Sequence, residues 1–184
     1  MGIEQLTEDD ALERVQDARV VAIRWDVIPF AVVLDLDLAI PEEKDRVVRR
    51  AWYVFWAISV IDFGLVGRLP TGCCLTSTMS RSEEPGGFFA YRINAVMAIF
   101  NADDSLADGC TKVVCVSAKR LVALQSTATA VQDQYGLLSW EQRCRLASDA
   151  EFIEAFQRIE ATQLNQQGTS SENDQNQTPS AVLE

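Results

Sequence analysis

The sequence predicts an α+β fold: a largely antiparallel, strongly curved β-sheet of five to seven strands, with helices flanking it at the N- and C-terminal ends. Three observations carry that expectation. Residues 30–40, FAVVLDLDLAI, alternate with a period of two, Phe30, Val32, Leu34, Leu36, Leu38 and Ile40 on one side and Ala31, Val33, Asp35, Asp37 and Ala39 on the other. Segments 46–63 and 88–100 are dense in β-branched and aromatic residues, which suit strands. The C-terminal part changes character and carries helix-start spacings ahead of an amphipathic stripe.

Taken in order, Thr7 followed by Asp10 has the spacing of a capping box, and with Glu8 and Asp9 in the first turn it predicts a short helix over 7–16. Residues 20–40 then read as a hairpin. A turn around Ile28 and Pro29 pairs residues whose numbers sum to a constant, placing Ile23 opposite Leu34, Trp25 opposite Val32 and Val21 opposite Leu36, all apolar pairs. On the other face Ala22 falls by Asp35 and Val20 by Asp37, with Arg24 diagonal to Asp35 and within salt-bridge reach. Pro29 lacks an N–H and belongs in the turn.

After the polar break at 41–45, segment 46–63 (RVVRRAWYVFWAISVIDF) is expected as a central strand covered on both sides. A helix starting at Pro41, with Glu42 and Glu43 in its first turn, fits almost as well. The aromatic and β-branched density favours the strand, because those side chains lose rotamer freedom in a helix. Gly64, Gly67, Pro70 and Gly72 mark a loop. Segment 74–80 reads as a polar-leaning strand, 82–87 as a turn, 88–100 as a strand with Phe89, Tyr91, Ile93, Met97 and Ile99 on one face, 101–109 as an acidic loop, and 111–118 as a strand running on toward Leu124. Ser139 with Gln142 and Ser148 with Glu151 start two helices, the second presenting Phe152, Phe156 and Ile159 on one stripe. From Gln163 the composition turns polar and rich in Gln, Asn and Ser, too poor in apolar surface to offset its ordering entropy. The expected organisation is one globular domain over 1–162 and a disordered tail over 163–184.

Composition narrows the function classes. The chain carries 27 acidic against 16 basic side chains, a net charge of −11. Nucleic-acid binders depend on Lys and Arg to neutralise phosphates, so an acidic chain is a poor match for that role. No uncharged apolar run approaches the roughly 18 residues of a spanning helix, and the N-terminus lacks a signal-peptide pattern, so no membrane association and a cytoplasmic location are expected. The chain has no histidine, which removes the commonest general base and metal ligand. Its five cysteines, Cys73, Cys74, Cys110, Cys115 and Cys144, show neither a CxxC nor a disulfide framework. No cofactor is expected.

One motif resembles catalytic machinery. The apolar strand ending in Asp35-Leu36-Asp37 resembles the first motif of haloacid-dehalogenase-type phosphatases. The resemblance implies Asp35 as nucleophile and Asp37 as acid/base beside Mg²⁺, with Asp103-Asp104 echoing the late acidic motif. It covers only residues 32–40, and Leu38-Ala39 stand where that family continues with Gly-Thr. The Asp-x-Asp also resembles the metal-binding motif of glycosyltransferases, without the Gly-rich nucleotide context. Against both stands the plainer reading of two carboxylates on the less buried face of a strand, partly paired with Arg24.

The remaining signal is acidic surface. Glu42, Glu43, Glu83, Glu84, Asp103 and Asp104 fall at expected turns, where they would dock and steer a basic protein partner. The favoured function is a non-enzymatic acidic protein-binding module, most concretely an immunity or inhibitor protein that neutralises a toxin or effector. The alternatives are a Mg²⁺-dependent phosphatase-like enzyme using Asp35 and Asp37, or a structural subunit of a larger assembly tethered by its tail.

Overall fold

A computed structural model describes residues 2–16, 18–40, 46–62, 73–100, 106–133 and 137–173. Eight strands and three helices follow in the order β1 (Ile3–Leu6), α1 (Glu8–Arg14), β2 (Arg19–Arg24), β3 (Ala31–Ala39), β4 (Val47–Asp62), β5 (Cys73–Glu84), β6 (Phe88–Phe100), β7 (Leu106–Ser126), β8 (Ala130–Val131), α2 (Trp140–Leu146) and α3 (Asp149–Asn173). The class is α+β and every pairing is antiparallel. The sheet has eight strands rather than five to seven. The excess comes from β1 and β8, whose four and two residues are too short to show a period in the sequence.

The strand order is β1-β7-β6-β5-β2-β3-β4-β8, and β7 pairs β4 as well. β7 is long enough to be shared: residues 106–118 pair β6, 123–126 pair β1, and its other edge pairs β4 from Cys115 to Gln125. Among the described residues β2 and β5 pair only at Arg19 and Leu75, so no continuous ladder closes the sheet there. Thr76 reinforces that seam, its N–H donating to the Ala18 carbonyl at 2.8 Å and its hydroxyl meeting the carbonyls of Val15 and Ala18.

β4 is the central strand that its composition predicts, paired with β3 on one edge and β7 on the other. Its alternation divides the core. Ala51, Tyr53 and Phe55 join Leu34, Leu36 and Leu38 of β3, Tyr91 and Ile93 of β6, Val114 and Val116 of β7, Ala11 of α1 and its C-cap Val15 in one buried cluster. Trp52 and Val54 join Val33, Val122, Leu124 and the Phe152, Ala155 and Phe156 stripe of α3 on the opposite face. Burying each large side chain this way contributes about 1.5–3 kcal/mol.

α1 begins where the sequence places it: Thr7 accepts from the Asp10 N–H at 3.1 Å. It is fixed to the sheet by two tyrosines. The Tyr53 hydroxyl donates to the Ala11 carbonyl at 2.9 Å and that of Tyr91 to Glu8 at 2.8 Å. Burial raises the pKa of both phenols, so they remain donors. Both C-terminal helices carry their capping boxes, Ser139 with Gln142 and Ser148 with Glu151. α3 continues to Asn173, into the segment read as tail, because extending an already nucleated helix costs little. Residues 174–184 lie outside the described residues, as does most of the expected 101–109 loop; β7 already begins at Leu106.

The hairpin register holds in its upper half, where Ala22 faces Asp35, Ile23 faces Leu34 and Arg24 faces Val33. Below that a bulge at Val21 shifts the pairing, so that Val20 rather than Val21 faces Leu36 and Arg19 faces Asp37. β2 also stops at Arg24, leaving Trp25 in the turn instead of opposite Val32. Among the described residues no helix is long and apolar enough to cross a membrane, a finding that does not bear on membrane β-barrels.

Candidate functional site

Two features outside the ordinary core set this molecule apart, and β2 joins them. The first lies beneath the C-terminal helices. Asp35 and Asp37 project from β3 to the α3 side of the sheet, where they are 3% and 1% exposed. The expectation of a less buried face shared with Arg24 is therefore corrected. α2 and α3 cover that face, and each carboxylate has its own arginine. Arg50 of β4 grips Asp35 through Nε at 3.2 Å and Nη2 at 2.7 Å, and it also donates to Asp149 at 2.8 Å and to the Ala147 carbonyl at 2.8 Å. Arg143 of α2 holds Asp37 through both Nη atoms, at 2.9 and 2.6 Å. Arg24 pairs with Asp149 at 2.7 Å instead of with Asp35.

The electrostatics of the cluster follow from burial opposed by these pairs. For Arg50, desolvation opposes the charge, but the bonds and charges of Asp35 and Asp149 outweigh it, and its pKa is raised. Desolvation pushes Asp37 above the usual carboxylate value against the pull of Arg143. Burial would also raise Asp149, but Arg24 and Arg50 more than offset it and the group is lowered. Glu151 is lowered by the Ser148 N–H and hydroxyl that it receives.

The signs give an acid response. Asp149 and Glu151 have folded pKa values below their unfolded values, so the stability they contribute is present above those unfolded values and lost as pH falls through the folded ones. Asp37, raised in the fold, works in the opposite sense: stability falls as pH rises through its window. Both lowered groups sit at the start of α3. Below about pH 4, the ordinary carboxylate range, the helical signal of α3 is expected to fall before the sheet unfolds. Circular dichroism at 222 nm against pH, compared with urea midpoints at the same pH values, checks this. Coincident loss of helix and sheet would contradict it.

The chemistry available to the two aspartates is limited by this setting. They lie mid-strand in an antiparallel sheet, and each is bonded on both oxygens by a guanidinium. Among the described residues no group of three Cys, Asp or Glu side chains is placed to hold a metal ion. An open groove of about 440 Å³ lies between β1 and α3, lined by Ile3, Gln5, Leu124, Ala155, Arg158, Ile159 and Thr162, and neither aspartate borders it.

The second feature is the turn at the end of the same hairpin. The Ala31 N–H donates to the Ile28 carbonyl at 3.3 Å, with Pro29 and Phe30 between them. Proline at the first central position and a positive φ at the second is the pattern of a type II turn, which ordinarily takes glycine second. Here Phe30 occupies it at φ 59°, and Ala57 on the neighbouring β4 is also left-handed at φ 53°. The Ile58 N–H reaches the Phe30 carbonyl at 3.4 Å, tying these two positions together. The turn presents Trp25 at 65% and Phe30 at 82% exposure, while Ile28 between them is buried.

The residues singled out from the sequence as partner contacts are distributed differently. Glu83 and Glu84 are exposed at the end of β5, beside a turn where Gly86 and Gly87 adopt positive φ. Glu84 accepts from Ser117 at 2.5 Å. Glu42, Glu43, Asp103 and Asp104 lie outside the described residues. Cys115 is half-buried and Cys144 exposed, both as free thiols. Sequence reasoning missed Arg50, Arg143, Trp25 and Phe30. A signal existed for Arg50: an arginine within a strand apolar on both faces requires a buried acceptor.

No protein-family model, curated protein or solved structure matches this chain.

Proposed function

We propose that the protein is a non-enzymatic, acidic, cytoplasmic protein-binding module, most concretely an immunity- or inhibitor-type protein that neutralises a basic partner, with residues 25–30 as its recognition element. The observation that carries this reading is the pair of exposed aromatics on a fixed turn. Trp and Tyr dominate binding hot spots, and a rigid aromatic loses little freedom on binding. A phenylalanine held left-handed costs about 1–3 kcal/mol, and such strain gathers at functional positions. Asp26, exposed between the two aromatics, and the net charge of −11 favour a cationic partner surface. The engagement of Asp35 and Asp37 with arginines supports a structural part for the Asp-x-Asp over a catalytic one.

Phe30→Gly separates strain from function. Glycine adopts this φ at no steric cost, so the variant is expected to gain up to about 1 kcal/mol in urea unfolding. The same variant, and Trp25→Ser, should lose the partner captured by the wild-type chain from its native host at low salt. That capture should weaken as salt rises, since exposed charges are screened. Retained capture by both variants would overturn the assignment of the tip.

A further inference from the structure

The exposed turn and the C-terminal helix are joined at two points. Arg24, the last residue of β2, donates to Asp149 Oδ2 at 2.7 Å, and Asp149 is the first residue of α3. Ile28, the buried residue of the turn, belongs to the same cluster as Phe152, Ala155 and Phe156, and Val27 packs against that cluster. Asp149 is thus shared by Arg24 of the hairpin and Arg50 of the central strand.

The surface that holds α3 is also not the most stable one these positions allow. A buried ion-pair network is often no more stable than apolar residues of the same volume. The Trp52 indole N–H, fully buried where the ring stacks on Phe152, finds no hydrogen-bond partner among the described residues, and a buried donor left unmade costs free energy. Elements held with such a reduced margin open locally ahead of the rest of the fold.

We infer that docking of α3 controls the order of the 25–30 turn: docked, the helix holds Arg24 and Ile28 and keeps the turn preorganised; undocked, it releases both anchors and weakens partner binding. Regulation of this kind rests on the reading of 25–30 as the recognition element, but the coupling itself is testable without a partner.

The experiment is hydrogen exchange by mass spectrometry on the full chain, comparing wild type with Asp149→Asn and Arg24→Gln. Asp149→Asn keeps the shape and removes the charge that both arginines use; Arg24→Gln severs only the link to the hairpin. Asp149→Asn is expected to accelerate exchange in 25–31 and 150–160 together by about tenfold, with 51–55 and 121–124 unchanged. Arg24→Gln should accelerate 25–31 more than 150–160, because Arg50 still holds Asp149 at the start of α3. A turn that exchanges at the wild-type rate in both variants overturns the coupling. Equal acceleration of every segment in Asp149→Asn also overturns it, because only global stability would then have changed. Since no outcome here depends on binding, a failure of the coupling is distinct from loss of the recognition reading, which capture by the Trp25 and Phe30 variants decides.

Discussion

Replacing Arg50 with methionine is expected to lower the unfolding free energy by about 3–5 kcal/mol, the range for breaking a buried ion pair by removing one partner. Methionine keeps much of the aliphatic stem, so the loss isolates the guanidinium. That group is 2% exposed and makes four hydrogen bonds, two to Asp35 and one each to Asp149 and the Ala147 carbonyl. Without it, Asp35 is an unpaired carboxylate 3% exposed under α3. The same guanidinium lies over the Trp52 ring at 4.7 Å, a contact that the variant also loses. The share arising at Asp149 is small, because its side chain is 35% exposed and solvent screens it. Urea unfolding followed by tryptophan fluorescence measures the change as a shifted midpoint at constant slope. The companion variant, Asp35→Leu with Arg50→Met, should recover most of the loss, since an apolar pair leaves no buried charge. A single variant as stable as wild type would show that the pair contributes nothing.

Phe152→Ala is the second large expected loss, about 3–5 kcal/mol for a phenylalanine deleted from a closed core site. Phe152 is fully buried and stacks on Trp52 with ring centroids 4.9 Å apart and planes 8° from parallel. Such a stack adds about 0.5–1.5 kcal/mol beyond burial. Phe152 is also the first apolar anchor of α3, next to the helix start that Ser148 and Asp149 secure. Its deletion should therefore loosen the helix from the sheet and redden tryptophan emission as water reaches Trp52. A loss below about 1 kcal/mol, with emission unchanged, would mean that α3 is held mainly by its ion pairs.

Much of the fold was legible in the sequence because its signals are local. The period of two in β3, the β-branched density of β4 and β6, and the serine caps of α2 and α3 each act within a few residues. The fate of Asp35 and Asp37 was not legible, because it depends on which element covers them. Their partner arginines stand 15 and 106 residues away, a separation no periodicity encodes. The bulge at Val21 and the left-handed Phe30 were hidden for a related reason: both break the rule by which the hairpin was read. Register arithmetic assumes an uninterrupted strand, and turn chemistry expects glycine where phenylalanine stands. The exposure of Trp25 follows from β2 ending at Arg24, three residues short of the Val27 to which continuous alternation would carry it. Acidic residues in expected turns were visible as charge, yet the exposed aromatics beside Asp26 give the more specific surface.

We propose that the ion pairs of Asp35 with Arg50 and Asp37 with Arg143 brace the sheet against the helices, while the turn at the start of β3 meets the partner. One low-salt capture assay from the native host, run side by side on Phe30→Gly and on the Asp35→Leu, Arg50→Met double variant, tests it most directly. On this proposal Phe30→Gly, although the more stable protein, loses the partner, while the folded double variant, which keeps Trp25 and Phe30 but lacks the Arg50 bonds to Asp149 and the Ala147 carbonyl, binds it more weakly without losing it. Loss of the partner by the folded double variant with retention by Phe30→Gly would contradict it.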